Sequence, residues 1–249
     1  MLCKWLTTFF EQLVGDPEFW EVPAGNDTYR SCVASAVADC LHSGTRNDDH
    51  AYMADLLPRT QALIAILLAR VTSVDRPSDD AMMQAINTPK GRVVEALFSQ
   101  ALRACRLSDH TTGSHSDAWE RVRPLFETEL GKSRNANYEF STLCGNYLAQ
   151  LDYMDREWLK SHVERIFPSD YQSNSVCAID GLAYAEFTRH LYELLTERGV
   201  PNRALRYELK RISNLLQPMC NLKKYLKVTN HCNLLRILVS RGGLEPPTR

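Results

Sequence analysis

Four side chains able to bind a metal, Asp109, His110, His115 and Asp117, fall within nine residues of a single polar stretch. Imidazole nitrogens and carboxylate oxygens suit zinc, and a zinc-bound hydroxide would make such a site hydrolytic. Their spacing matches no closed zinc site and no cysteine joins them, so a hydrated loop is the expected reading. A small helical metal-dependent enzyme is the rival. Two further pairs on helical segments, His162 with Glu164 and His190 with Glu193, carry ligand types as well. A Glu-x-x-His ligand pair needs a second such helix bearing carboxylates, and His190 precedes Glu193 in the reverse order. Polar surface pairs are the expectation for both.

The most motif-like run is Ala85-Ile86-Asn87-Thr88-Pro89-Lys90-Gly91-Arg92, followed by Val93-Val94-Glu95-Ala96-Leu97. A lysine and a glycine before a helix suggest a phosphate loop, but that loop needs a preceding strand and Gly-x4-Gly-Lys-Ser/Thr. What remains is a helix start: Thr88 as N-cap, Pro89 at the first helical position and Gly91 allowing close packing. An anion held by the helix N-terminus with Lys90 and Arg92 is the alternative. Asp180-Gly181, close to Cys177, reads as a local kink. The chain has no Gly-x-Ser-x-Gly, His-Glu-x-x-His or Gly-x-Gly-x-x-Gly motif. The sequence therefore assigns no catalytic, cofactor-binding or metal residue, and no cofactor.

The eight cysteines, at 3, 32, 40, 105, 144, 177, 220 and 232, show no Cys-x-x-Cys spacing. They read as small buried hydrophobes in a reducing cytosol, with Cys32 and Cys40 sharing a face with Val33, Ala36 and Val37.

The elements that would position these residues are helices. Apolar residues recur at a period near 3.6 almost throughout, and glycines number only 11 in 249 residues. The pattern predicts helices over 2–14, 29–41, 52–72, 79–86, 89–106, 117–130, 138–151, 153–166, 175–186, 187–198 and 202–216, and a weaker one over 222–238. Asp152 is placed to cap the helix containing Trp158, and Gly199 to end one helix before Pro201 opens the next. Gly44–His50 and Ser108–Ser116 read as polar loops. Helices joined by short turns predict an all-α fold, either an irregular HEAT-like stack of antiparallel helices or an irregular bundle. The longest apolar run, Ala62–Ala69, has eight residues, whereas a membrane span needs about 20. A cytoplasmic chain without a membrane contact is expected.

Charge is divided unevenly. Residues 198–249 hold eleven lysines and arginines against Glu208 and Glu245, a net of +9 that leaves −10 on residues 1–197 of a chain totalling −1. A basic stretch over 198–227 makes a nucleic-acid-binding module the first alternative, ahead of the metal-dependent enzyme, although only Tyr207 and Tyr225 are available there for base stacking.

Two stretches carry a resemblance. The run from Ile86 to Leu97, and Gly181-Leu182-Ala183-Tyr184 leading to Leu191-Tyr192 and Leu194-Leu195, resemble C-terminal helical regions of very large bacterial proteins of the anti-phage-defence type. Those proteins carry SIR2-like or nucleotide-using effector domains. The resemblance covers about residues 50–210 and implies a sensor or scaffold whose enzyme lies elsewhere. It carries over no catalytic residue. The string Arg241–Arg249 resembles spurious translation across an antisense transfer-RNA gene, since its codons read on the opposite strand accommodate a T-arm. The expected organisation is a helical-repeat-like domain over 1–216 and a basic, non-native tail over 217–249. The function expected is a non-catalytic interaction or sensor scaffold, a fragment of a larger protein, binding a protein partner or the missing effector domain.

Overall fold

Four of the helix starts are closed by a side-chain cap from the residue before them. The computed structural model describes residues 2–21, 27–48 and 51–207. They form α1 (Leu2–Gly15), α2 (Pro17–Glu21), α3 (Asp27–Arg46), a 3-10 turn (Ala54–Leu56), α4 (Leu57–Arg70), α5 (Ala81–Asn87) and α6 (Pro89–Thr112). There follow α7 (Ser116–Lys132), α8 (Tyr138–Asn146), α9 (Leu148–Met154), α10 (Arg156–Ile166), α11 (Gln172–Leu182), α12 (Arg189–Glu197) and a last helical stretch over 200–207. The described residues contain no strand. The predicted helix over 222–238, Cys220, Cys232, most of the basic stretch and the 217–249 tail lie outside them.

Asp80, Thr88, Asp155 and Thr188 each accept a backbone N–H in the first turn of the helix that follows. Such a cap satisfies one of the four donors that every helix start leaves open. The α10 cap is thus Asp155 rather than Asp152, because the chain is still helical through Met154. The two expected loops are also shorter than predicted. α3 continues through Gly44 to Arg46, and α6 continues to Thr112, where Gly113 takes the left-handed conformation. Hydroxyls of Thr111 and Thr112 bond back to Leu107 and Ser108 carbonyls, at 2.8 and 2.9 Å, so these polar residues extend the helix by one turn. Conversely, the predicted helix over 138–151 breaks at Tyr147 into α8 and α9.

α6 is the axis. It packs against α3, α4, α5, α7, α8 and α9. Every helix it meets lies within three positions of it in chain order, so this all-α fold is an irregular bundle or stack of helices built round one long helix. Along α6 the residues Val93, Val94, Leu97, Phe98 and Ala101 are fully buried. Phe98 meets Phe126 edge-on with ring centroids 5.1 Å apart, and Trp119 meets Phe126 at 5.3 Å and Trp158 at 5.4 Å. Each such pair adds about 0.5–1.5 kcal/mol beyond the area it buries.

α8 and α11 cross through two glycines. A Cβ on Gly181 would stand 1.8 Å from the Thr142 carbonyl oxygen, and one on Gly145 would stand 2.0 Å from that of Ala178. The backbones therefore touch, which only glycine permits. α11 runs unbroken through Asp180 and Gly181, so the expected kink is absent. Asp180 instead accepts the Met82 N–H at 2.9 Å and ties α11 to the start of α5.

Candidate functional site

Of the four clustered ligand types, the fold brings two together. Asp109 lies in the last turn of α6 and His115 just before α7, so the tight turn at Gly113 sets the imidazole beside the carboxylate. His115 Nδ1 is 2.9 Å from both Asp109 oxygens, and its Nε2 is 3.1 Å from the Met154 carbonyl. Tyr153 on α9 donates its hydroxyl to Asp109 at 2.6 Å, and its ring lies against His115. Tyr153 and His115 together hold the Asp109 carboxyl below its usual range. Burial, and then the Asp109 hydrogen bond, push the Tyr153 phenol well up. His110 and Asp117 are exposed and form no hydrogen bond with this group.

A metal ligand needs a bare ring nitrogen, and here both nitrogens of His115 face acceptors. Among the described residues no three His, Cys, Asp or Glu side chains are grouped to hold an ion. The cluster works as a clamp between the α6–α7 turn and α9. Beside it lies an open groove of about 740 Å³ between α7 and α9. Its carboxylates are already paired: Asp152 with Arg156 at 3.2 Å, Glu120 with Arg123 at 2.7 Å, and Asp155 with the Trp119 indole at 2.9 Å.

The two helical His/Glu sets do not pair internally. His162 faces the Trp158 carbonyl at 2.8 Å and stacks on its ring, while Glu164 reaches Arg203 at 3.7 Å. His190 faces Asp152 at 3.5 Å, and Glu193 takes Arg189.

The Thr88–Arg92 motif turns inward. Lys90 is 3% exposed, forms a 2.8 Å ion pair with the equally buried Glu129 of α7, and donates to the Leu68 carbonyl at 3.0 Å. Burial lowers the Lys90 pKa, opposed by the attraction of Glu129. Glu129 also receives Lys132 at 2.5 Å and the Asn137 amide at 3.0 Å. A second buried carboxylate, Glu139, accepts the Val74 N–H at 3.0 Å, the Thr88 hydroxyl at 3.3 Å and the Ser73 hydroxyl. The start of α6 thus holds an anion after all, but the anion is the chain's own. Two lysines and two glutamates join α4, α6, α7 and α8 at this hub. Gly91 fits because a Cβ would strike the Ala85 carbonyl.

Sequence reasoning missed a polar seam between α3 and α6. Arg92 reaches Asp39 at 3.5 Å, Ser99 meets His42 Nδ1 at 2.9 Å, and Arg103 pairs with Asp48. Glu95, within this seam, has its pKa raised by burial, which His42 and Arg92 partly offset. The signal was present in the sequence: Glu95, Ser99 and Arg103 recur every fourth residue along α6. Ser99 is 5% exposed, so this serine–histidine contact is closed to a substrate.

Cys105, Cys144 and Cys177 are buried as expected, with the first and last pushed up to about 12 by desolvation. Cys3 and Cys40 are half-buried, and Cys32 is exposed, because its side of α3 faces away from α6. No helix of the described residues is long and apolar enough to cross a membrane. The chain matches no family model, no curated protein and no solved structure.

Proposed function

We propose that the chain is a non-catalytic helical interaction or sensor scaffold that works in the cytoplasm. On this reading it is the helical part of a larger bacterial defence-type protein whose effector activity resides in another segment. One observation carries the proposal: the side chains most capable of chemistry are engaged with one another inside the fold. Lys90 is held by Glu129, both nitrogens of His115 face acceptors, and Ser99 is sealed against His42. A general base or nucleophile needs a free lone pair within reach of a substrate, and these arrangements oppose that.

The test is reconstitution. The chain is mixed with the effector segment encoded beside it, and complex formation and effector turnover are followed by size-exclusion chromatography and a nucleotide-consumption assay. Co-elution with altered turnover is expected. Absence of both overturns the proposal, as does hydrolytic activity of the chain alone that disappears in His115→Ala. Retention of nucleic acid at low salt, lost steeply as salt rises, would favour a nucleic-acid-binding module instead.

A further inference from the structure

His115 stands where three helices meet. It precedes α7, and its Nδ1 lies 2.9 Å from both oxygens of Asp109 in the last turn of α6. Its Nε2 lies 3.1 Å from the carbonyl of Met154, the last residue of α9. Both partners can only accept. The Asp109 carboxyl is held below its usual range and is ionised near neutral pH, and a carbonyl oxygen has no proton to give. A neutral imidazole has one N–H and one bare lone pair. Either tautomer thus sets a lone pair against an oxygen, and only the imidazolium donates to both. The partners are themselves fixed. Tyr153 donates to Asp109 at 2.6 Å. Met154 is buried, and its carbonyl, at a helix end, has no intrahelical donor.

We propose that His115 is a proton-gated latch on the end of α9. With its proton the ring bridges Asp109 and the Met154 carbonyl. Without it, the ring keeps Nδ1–H on the carboxylate, the stronger acceptor, and releases the carbonyl. Asp109 retains both of its donors in either state, so the change falls on α9 and the start of α10. His115 and Met154 line the open groove between α7 and α9. Asp155, next along the chain, caps α10 and accepts the Trp119 indole at 2.9 Å. The latch therefore sets how firmly this wall of the groove is held. Within the clamp only the imidazole changes charge near neutrality. Burial pushes the Tyr153 phenol well up and the Cys105 thiol up to about 12. Arg106, which acts on Tyr153 from α6, stays charged. The carboxylates along the groove, Glu120, Asp152 and Asp155, are engaged by Arg123, Arg156 and the Trp119 indole. The second imidazole beside the groove is His190 of α12, 3.5 Å from Asp152. This proposal does not depend on the scaffold reading.

Long-range nitrogen–proton spectra of the full chain, labelled with nitrogen-15 on histidine and recorded from about pH 5.5 to about pH 8, test it. The His115 signals are assigned by their loss in His115→Asn. They are expected to show two N–H nitrogens at the acid end and the Nδ1–H tautomer at the alkaline end. His115→Asn keeps a donor for Asp109 but cannot titrate, and urea unfolding of parent and variant reads the latch as stability. The latch contributes below the imidazole range and is lost as pH rises through it. The variant-to-parent ratio of unfolding constants should therefore fall on the order of tenfold between the two pH values. The same fall is expected in a His190→Gln background. A ring that holds Nε2–H at the alkaline end overturns the proposal. So does a ratio that pH leaves unchanged, or a fall that disappears with His190→Gln.

Discussion

The buried ion pair at the start of α6 gives the sharpest quantitative prediction. Removing one partner of such a pair costs about 3–5 kcal/mol, because the other charge is stranded in a poorly polarisable interior. The two partners of this pair are not equivalent. In Lys90→Met, Glu129 keeps Lys132 at 2.5 Å and the Asn137 amide at 3.0 Å, which places the loss at or below the bottom of that range, about 2–3 kcal/mol. In Glu129→Leu, Lys90 keeps only the Leu68 carbonyl and a more distant attraction to Glu139. The Asn137 side-chain amide then loses its carboxylate partner as well, so the loss should reach about 4–5 kcal/mol. The double variant should be less destabilised than Glu129→Leu alone, with a coupling of about 2 kcal/mol. Urea unfolding followed by far-ultraviolet circular dichroism measures all three. A pH series adds a sign. Burial lowers the Lys90 pKa in the folded chain, so across the interval between the folded and unfolded values the unfolded chain binds more protons. Stability therefore rises with pH there. Without the attraction of Glu129 this rise begins at lower pH, and the deficit of Glu129→Gln should shrink under alkaline conditions. Variants within about 0.5 kcal/mol of the parent, or Lys90→Met costing more than Glu129→Leu, would refute the reasoning.

Other consequences follow from single contacts. Gly181→Ala forces a methyl into the Thr142 carbonyl and should destabilise by about 1–3 kcal/mol or more. Gly131→Ala, exposed in α7 with nothing within 4 Å, should stabilise by about 0.5–1 kcal/mol in the same urea unfolding measurement. Asp155→Ala removes the α10 cap and the acceptor of the Trp119 indole, and should cost about 2–3 kcal/mol with a shift in tryptophan emission. Because Asp109 is held low in the folded chain, its clamp is fully present above the ordinary carboxylate range. That stability is lost as pH falls through the folded value. In Asp109→Asn the Tyr153 phenol, now pushed up by burial with no carboxylate beside it, should ionise at lower pH in an ultraviolet titration.

The helical class and many helix positions were legible because burial imposes a 3.6-residue period on apolar residues. The start of α6 was legible for another reason: Thr88-Pro89 leaves the chain few alternatives there. Helix ends were less so. Thr111 and Thr112 are polar in composition but helical in fact, since their hydroxyls bond back along α6. Asp152 and Asp155 are equivalent caps by composition, and only the extent of α9 selects the second. The exposure of Cys32 follows from which side of α3 meets α6, a tertiary choice that local pattern does not encode. The inward turn of Lys90 was hidden for the same reason. Its partner Glu129 lies 39 positions along the chain, and nothing local tells a solvated lysine from a buried one. The Asp109–His115 contact could be read as spacing, but not the Met154 carbonyl that closes the second ring nitrogen.

Asp109 and His115, the ligand-like residues that the fold brings together, tie the α6–α7 turn to α9. Thermal unfolding of the parent chain and of His115→Ala, each with and without excess zinc, tests it most directly. The account predicts a lower midpoint for the variant and a parent midpoint that zinc leaves unchanged. A parent midpoint raised by zinc, with no such rise in His115→Ala, would contradict it.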